Sequence, residues 1–178
     1  QGDFKRKFPM PAETASPDRD ILPLMLLSLV RLLARLPLSW LQSLGRLIGL
    51  LVYCFPGRYR RRLQANARRA GYDTPAFLRR AAAESGAMIL EMPKVWWRTS
   101  QCLALTRSDQ ESVVQDALAE GRGVLYLTPH LGCFEITARH LTQHGPLTVM
   151  FRPSRSALLD PIVESARDMH NLRAVPAN

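Results

Sequence analysis

The sequence predicts an α/β protein: a partly parallel sheet flanked by helices, preceded by a helical, membrane-associated N-terminal segment. Three observations carry that prediction. A Leu-rich stretch punctuated by Arg31, Arg35 and Arg46 fills residues 21–55. Helix-period apolar patterns then occupy residues 75–98 and 109–120. Beyond them the pattern changes to strand, helix, strand between "GVLYLTPH" and "LTVMFRP". That order is a βαβ unit, whose crossover implies parallel strands covered by helices.

A chain of 178 residues suffices for one globular domain with a core, or for one domain with an appendage. With 47% hydrophobic and 22% charged residues it lies outside the disordered class. Lys and Arg number 24 against 15 Asp and Glu, a formal charge of +9 with a pI near 10.3. Such a field favours a polyanionic partner: nucleic acid, an anionic membrane surface, a phosphorylated lipid or an acidic protein. Cys54, Cys102 and Cys133 form neither a CxxC pair nor an even disulfide framework, so a reducing compartment is expected.

Residues 1–20 mix Lys, Arg, Pro, Ser and acidic residues without periodicity and read as a flexible tail. The next segment, 21–55, reads as a helical membrane anchor. No window in it is the run of about 20 uncharged apolar residues that a spanning helix needs. Arg31 and Arg35 share a helix face while Leu, Ile, Val and Trp cover the others, which suits a helix in the headgroup layer with snorkelling Arg. A pair of core helices broken at Pro37 is the alternative. Six Arg follow between positions 58 and 69. Arg58, Arg60, Arg61 and Arg62 are the expected contacts to lipid phosphate on the cytoplasmic side. Tyr59 is the one aromatic interleaved with them, too few for base stacking, so nucleic acid is not the expected partner.

The remainder, 56–178, reads as one folded domain of alternating helices and strands. Pro75 suits a helix start, and Pro93 is expected to end or kink that helix. Gly121 closes the 109–120 helix. Val124–Leu127 reads as a buried strand, "EITARHLTQHG" as a helix and "LTVMFRP" as a second strand ended by Pro153.

The chemistry concentrates in "LTPHLGCFE", where His130 stands just past a strand and Glu135 follows five residues later. Loops at the carboxyl ends of parallel strands are where such folds keep their sites. On one helix the two side chains would be about 140° apart. They meet if His130 lies in the loop before the helix, which Pro129 and Gly132 allow. Glu135 would then fix the imidazole tautomer and leave the other nitrogen as a base, with the substrate supplying the hydroxyl. Amides at Gly132, Cys133 and Phe134 would face a developing oxyanion. The alternatives are a helix-capping His130 with a solvated Glu135, a Cys133 nucleophile, and a metal set of Glu135, His140 and His144. The metal set lacks the HExxH arrangement, and no metal is expected.

The stretch "PHLGCFE" resembles the HxxxxD/E block of glycerolipid and lipid A acyltransferases. Its spacing to "VMFRPSRSALLDPIVESARD", and the upstream "RLPLSWLQSLGRLIGLLVYCFPGRYRRRLQANARR" and "LEMPKVWW", are similar to the late acyltransferases of lipid A biosynthesis over about residues 24–178. The resemblance implies a glycerolipid acyltransferase-like fold, with the family pattern continuing beyond residue 178. It implies transfer of a fatty acyl chain from acyl carrier protein to a hydroxyl of a lipid A precursor, at the cytoplasmic face of the inner membrane. His130 is then the general base and Glu135 its orienting partner, while Arg152 binds an anionic group of the acceptor or supports the site. No cofactor is implied, because a thioester is already activated. Phe151 and Cys133 depart from the family's usual aromatic hydroxyl and Asn. A lysophospholipid or glycolipid acceptor is the alternative substrate. A non-enzymatic basic module binding membrane or nucleic acid is the alternative class.

Overall fold

The computed structural model describes residues 17–151, 162, 166 and 171–177. Pro37 divides the Leu-rich stretch into α1 (Pro17–Leu33) and α2 (Leu38–Cys54), bent by 119° between Leu24–Leu33 and Leu38–Cys54. Its fixed φ of −55° lets it stand as N-cap of α2 and keeps the preceding residue from helix. The carbonyls released after α1 are met by a buried cation: Lys94 Nζ donates to Leu36 O at 2.8 Å and to Ala34 O at 3.5 Å. Positive charge at a helix C-terminus opposes the dipole there. Helix α1 covers Pro17–Leu33, so the last four residues of the expected tail are helical.

Helix α3 (Arg58–Arg69) carries the basic run, and α4 (Pro75–Trp97) is the longest element. Thr74 caps α4 by accepting from the Phe77 amide at 3.3 Å, with Pro75 at the first position as expected. Pro93 does not end this helix. A proline inside a helix costs about 3 kcal/mol through its missing N–H, but ending there would forfeit the burial of Pro93, Lys94 and Val95. The core is the contact of α2 with α4. Leu41, Gly45, Gly49 and Tyr53, four apart, form the buried stripe of α2. They face Leu78, Ala82, Gly86 and Ala87 of α4. A Cβ on Gly45 would lie 2.5 Å from Gly86 O, and one on Gly86 would lie 2.8 Å from Gly49 N, so small residues set the helix separation.

A short α5 (Thr99–Leu103), not anticipated from the sequence, leads to α6 (Glu111–Ala119), which the left-handed Gly121 (φ +69°) follows. After α7 (Phe134–Leu141) comes β1 (Leu147–Phe151), paired in parallel with β2 (Leu172–Pro176) in register Leu147↔Leu172 to Phe151↔Pro176. The expected parallel sheet is present, but its pairing differs from expectation. Val124–Leu127 forms no ladder among the described residues, and Leu125 and Leu127 are 85% and 88% exposed. Val124 and Tyr126 are half-buried, so the apolar run that suggested a buried strand lies here without a strand partner among the described residues, with every second side chain exposed. The described chain is thus mostly helical with a small two-stranded parallel sheet. Among the described residues no single helix is long and apolar enough to cross a membrane, although the bent pair Leu24–Leu33 and Leu38–Cys54 meets that test together.

Candidate active site

Between α6 and α7 the chain crosses an exposed stretch that ends in Pro129, His130 and Leu131. The turn into α7 requires Gly132, whose φ of +54° is a region that Cβ-bearing residues disfavour. Its carbonyl accepts from the Phe134 amide at 2.9 Å, so that amide is already used and does not join an oxyanion site in this conformation. His130 is exposed, with its ring 4.4 Å from that of Phe134, centroid to centroid. His130 does stand in the loop before the helix, as the dyad reading requires.

Glu135, in the first turn of α7, is held from two sides. Its Oε2 accepts from Trp96 Nε1 at 3.0 Å and from Arg139 at 3.2 Å. Trp96 comes from the last turn of α4 and packs edge-on against Trp97 at 5.7 Å. Arg139 is 2% exposed and donates also to Ala166 O at 2.9 Å, while its Nε finds no acceptor among the described residues. Burial lowers the Arg139 pKa below the ordinary guanidinium value, and the Glu135 carboxylate opposes that shift. In the hydrogen bonds of the described residues, Glu135 is joined to Trp96 and Arg139, and none joins it to His130. The catalytic carboxylate of the dyad reading is therefore fixed in place, while the imidazole rests on Phe134. Arg139 was missed in the sequence although its i,i+4 spacing from Glu135 is legible there. Trp96, 39 residues away, leaves no such local signal.

Cys133 precedes α7 as its N-cap, half-buried. Burial, the charge of Glu91 and a hydrogen bond to that carboxylate push its thiol up to about 12. A raised thiol pKa disfavours the thiolate that a nucleophile needs, which counts against the Cys133 alternative. Glu91 itself is 7% exposed and accepts from Gln42 Nε2 at 3.0 Å, linking α2, α4 and the start of α7.

The two histidines of α7's C-terminal end do not turn to Glu135. Glu111, at the start of α6, lies between them: His140 Nε2 is 3.1 Å from Glu111 Oε2, and His144 Nε2 is 2.5 Å from Oε1. The carboxylate of the weighed metal set is thus replaced by one 29 residues before His140, a pairing no local pattern reveals. Hydrogen bonds from His140 and Ser108 lower the Glu111 pKa.

Among the Arg residues, Arg58, Arg61 and Arg62 are exposed on α3, whereas Arg60 is half-buried and lies over the Tyr53 ring at 5.1 Å. Arg60 opens onto a cleft of about 550 Å³ lined also by Tyr53, Gln64, Arg68 and Arg79. Arg46 pairs with Glu84 of α4, Nε to Oε1 at 3.0 Å. Arg152 lies outside the described residues.

The family described as bacterial lipid A biosynthesis acyltransferase matches residues 16–178. No curated protein and no solved structure matches the chain. The match spans His130, Glu135, the helices that hold Glu135 and nearly the whole sequence; the chain belongs to the bacterial lipid A biosynthesis acyltransferase family.

Proposed function

We propose that the chain transfers a fatty acyl group from acyl carrier protein to a hydroxyl of a lipid A precursor, with His130 as base and Glu135 as its orienting partner. The observation that carries this reading is a carboxylate five residues after an exposed histidine, clamped by Trp96 and Arg139 in a member of this family. A fixed carboxylate gives the imidazole a defined tautomer once the two meet. Catalytic hydrogen bonds are often loose without substrate and tighten in the Michaelis complex. On acceptor binding the His130 ring leaves Phe134 for Glu135, and its free nitrogen takes the acceptor's hydroxyl proton. The oxygen attacks the thioester carbonyl, the C–S bond breaks, and the carrier's thiolate leaves and recovers a proton from His130. The amides of Gly132 and Cys133 face the oxyanion.

The surface suits an apolar, anionic environment. Trp40, Leu44, Leu47, Leu51 and Phe55 line an outward face of α2, and Leu22, Met25, Leu29 and Leu32 one of α1. Arg58, Arg61 and Arg62 are exposed on the adjoining α3. In this reading the apolar faces enter the cytoplasmic leaflet of the inner membrane and the Arg side chains meet its phosphates.

The test is acyl transfer from labelled acyl carrier protein to a lipid A precursor in detergent. His130→Ala and Glu135→Gln are each expected to lose about 10²- to 10⁴-fold, the usual worth of a positioned acid or base. Full activity in either variant would overturn the mechanism. Activity on a lysophospholipid but not on the lipid A precursor would overturn the acceptor.

A further inference from the structure

Helix α6 has no buried residue of its own, so apolar packing does little to hold it. What reaches it from α7 is polar: Glu111 of its first turn lies between His140 and His144. His140 lies in the last turn of α7 and His144 in the turn three residues past its end, and their rings stand 5.8 Å apart between centroids. Both present Nε2 toward the same carboxylate, one to each oxygen. One ligand atom from each of the three side chains lies within 4.8 Å of the others, and all three groups are half-buried. His144 Nε2 is removed from solvent and makes no hydrogen bond among the described residues; its 2.5 Å approach to Oε1 has the distance of one without the geometry.

We propose that Glu111, His140 and His144 form a binding site for one divalent transition metal ion, zinc foremost, that ties α6 to α7. Two imidazole nitrogens and a carboxylate oxygen are a donor set for zinc and its neighbours, not for magnesium or calcium, which take oxygen ligands. At zinc–ligand distances of about 2.0–2.1 Å, tetrahedral donors stand about 3.3 Å apart. His140 Nε2 and Glu111 Oε2 are nearly so placed, and the most distant pair of the three donor atoms, within 4.8 Å, has to close by at most about 1.5 Å. The ion would satisfy the orphaned His144 nitrogen, and a water would take the fourth position. Because the ligands come from positions 111, 140 and 144, the ion closes the segment that carries His130. Its effect on that segment is positional and separate from the acyl-transfer chemistry.

The test uses protein purified without a polyhistidine tag, loaded with zinc, dialysed and assayed for metal by mass spectrometry, with competition titrations for affinity. The wild type is expected to retain one zinc per chain, to bind it in excess magnesium, and to give the visible absorption of tetrahedral Co²⁺ when cobalt replaces it. His140→Ala and the shape-preserving Glu111→Gln are expected to weaken zinc by about 100-fold or more, since outer partners alone are worth 10- to 100-fold. Asp116→Asn, an exposed change on the same helix, is expected to bind as the wild type does. Amide exchange over residues 120–131 is expected to slow with zinc relative to a chelator. A folded wild type that retains no zinc, or variants that bind it equally well, would overturn the site. Zinc binding that leaves the exchange of residues 120–131 unchanged would overturn the tie.

Discussion

Arg139 illustrates how one residue can matter to stability and chemistry through the same contact. It is 2% exposed, and its only carboxylate partner among the described residues is Glu135. Removing one member of such a pair leaves an uncompensated buried charge, a loss of 3–5 kcal/mol in fully buried cases. Glu135 is 30% exposed, so solvent takes up part of that loss. Glu135→Gln is expected to cost about 2–3 kcal/mol, a fall in Tm of roughly 5–10 °C for a chain of this size. Adding Arg139→Met removes the stranded charge and should recover most of the stability without restoring acyl transfer. Thermal unfolding followed by circular dichroism checks both. A Glu135→Gln protein as stable as the wild type would show that the guanidinium does not depend on this carboxylate.

At the scale of elements, the separation of α2 and α4 rests on absent side chains. A methyl on Gly86 would press on the backbone of Gly45 and Gly49, which cannot rotate out of the way as a flexible side chain would. Gly86→Ala should therefore force the helices apart and cost about 1–3 kcal/mol, the range for overpacking. Gly71 provides the contrast: a Cβ there meets nothing within 4 Å, and the difficulty is only its φ of +79°. Gly71→Ala should cost about 1 kcal/mol from the backbone alone. Urea unfolding of the two variants orders them. A Gly71 variant less stable than the Gly86 variant would mean that the helix contact yields more easily than its geometry suggests.

For the whole molecule, the outward apolar faces of α1 and α2 beside a basic α3 define the expected orientation on a lipid surface. Each Arg near an anionic surface is worth about 1 kcal/mol, so replacing Arg58, Arg60, Arg61 and Arg62 together with Gln should weaken binding to anionic vesicles about 100- to 1,000-fold. Trp40→Ser with Phe55→Ser should weaken binding to neutral and anionic vesicles alike, because it removes apolar area and no charge. Vesicle co-sedimentation at two salt concentrations separates the two contributions. Equal binding of the wild type to neutral and anionic vesicles would argue against a role for the Arg cluster.

Patterns of short range were enough to expect the start of α4 at Pro75, the stop at Gly121, the placement of His130 ahead of α7 and the family, and to raise the break at Pro37 as an alternative, because each is written in neighbouring residues. Local rules allowed α4 to end at Pro93, which it does not, since the burial that carries the helix past it depends on other elements. They also misjudged Val124–Leu127, since a short apolar run bounded by Gly and Pro suits a buried strand but cannot supply the neighbour whose backbone completes its hydrogen bonds. Only the tertiary structure decided that Glu135 is gripped by Trp96 and Arg139, that burial beside Glu91 pushes the Cys133 thiol up, and that Glu111 meets His140 and His144. Those contacts join residues up to 42 positions apart, and the energy of a buried charge depends on what surrounds it in space, not on its neighbours in the chain.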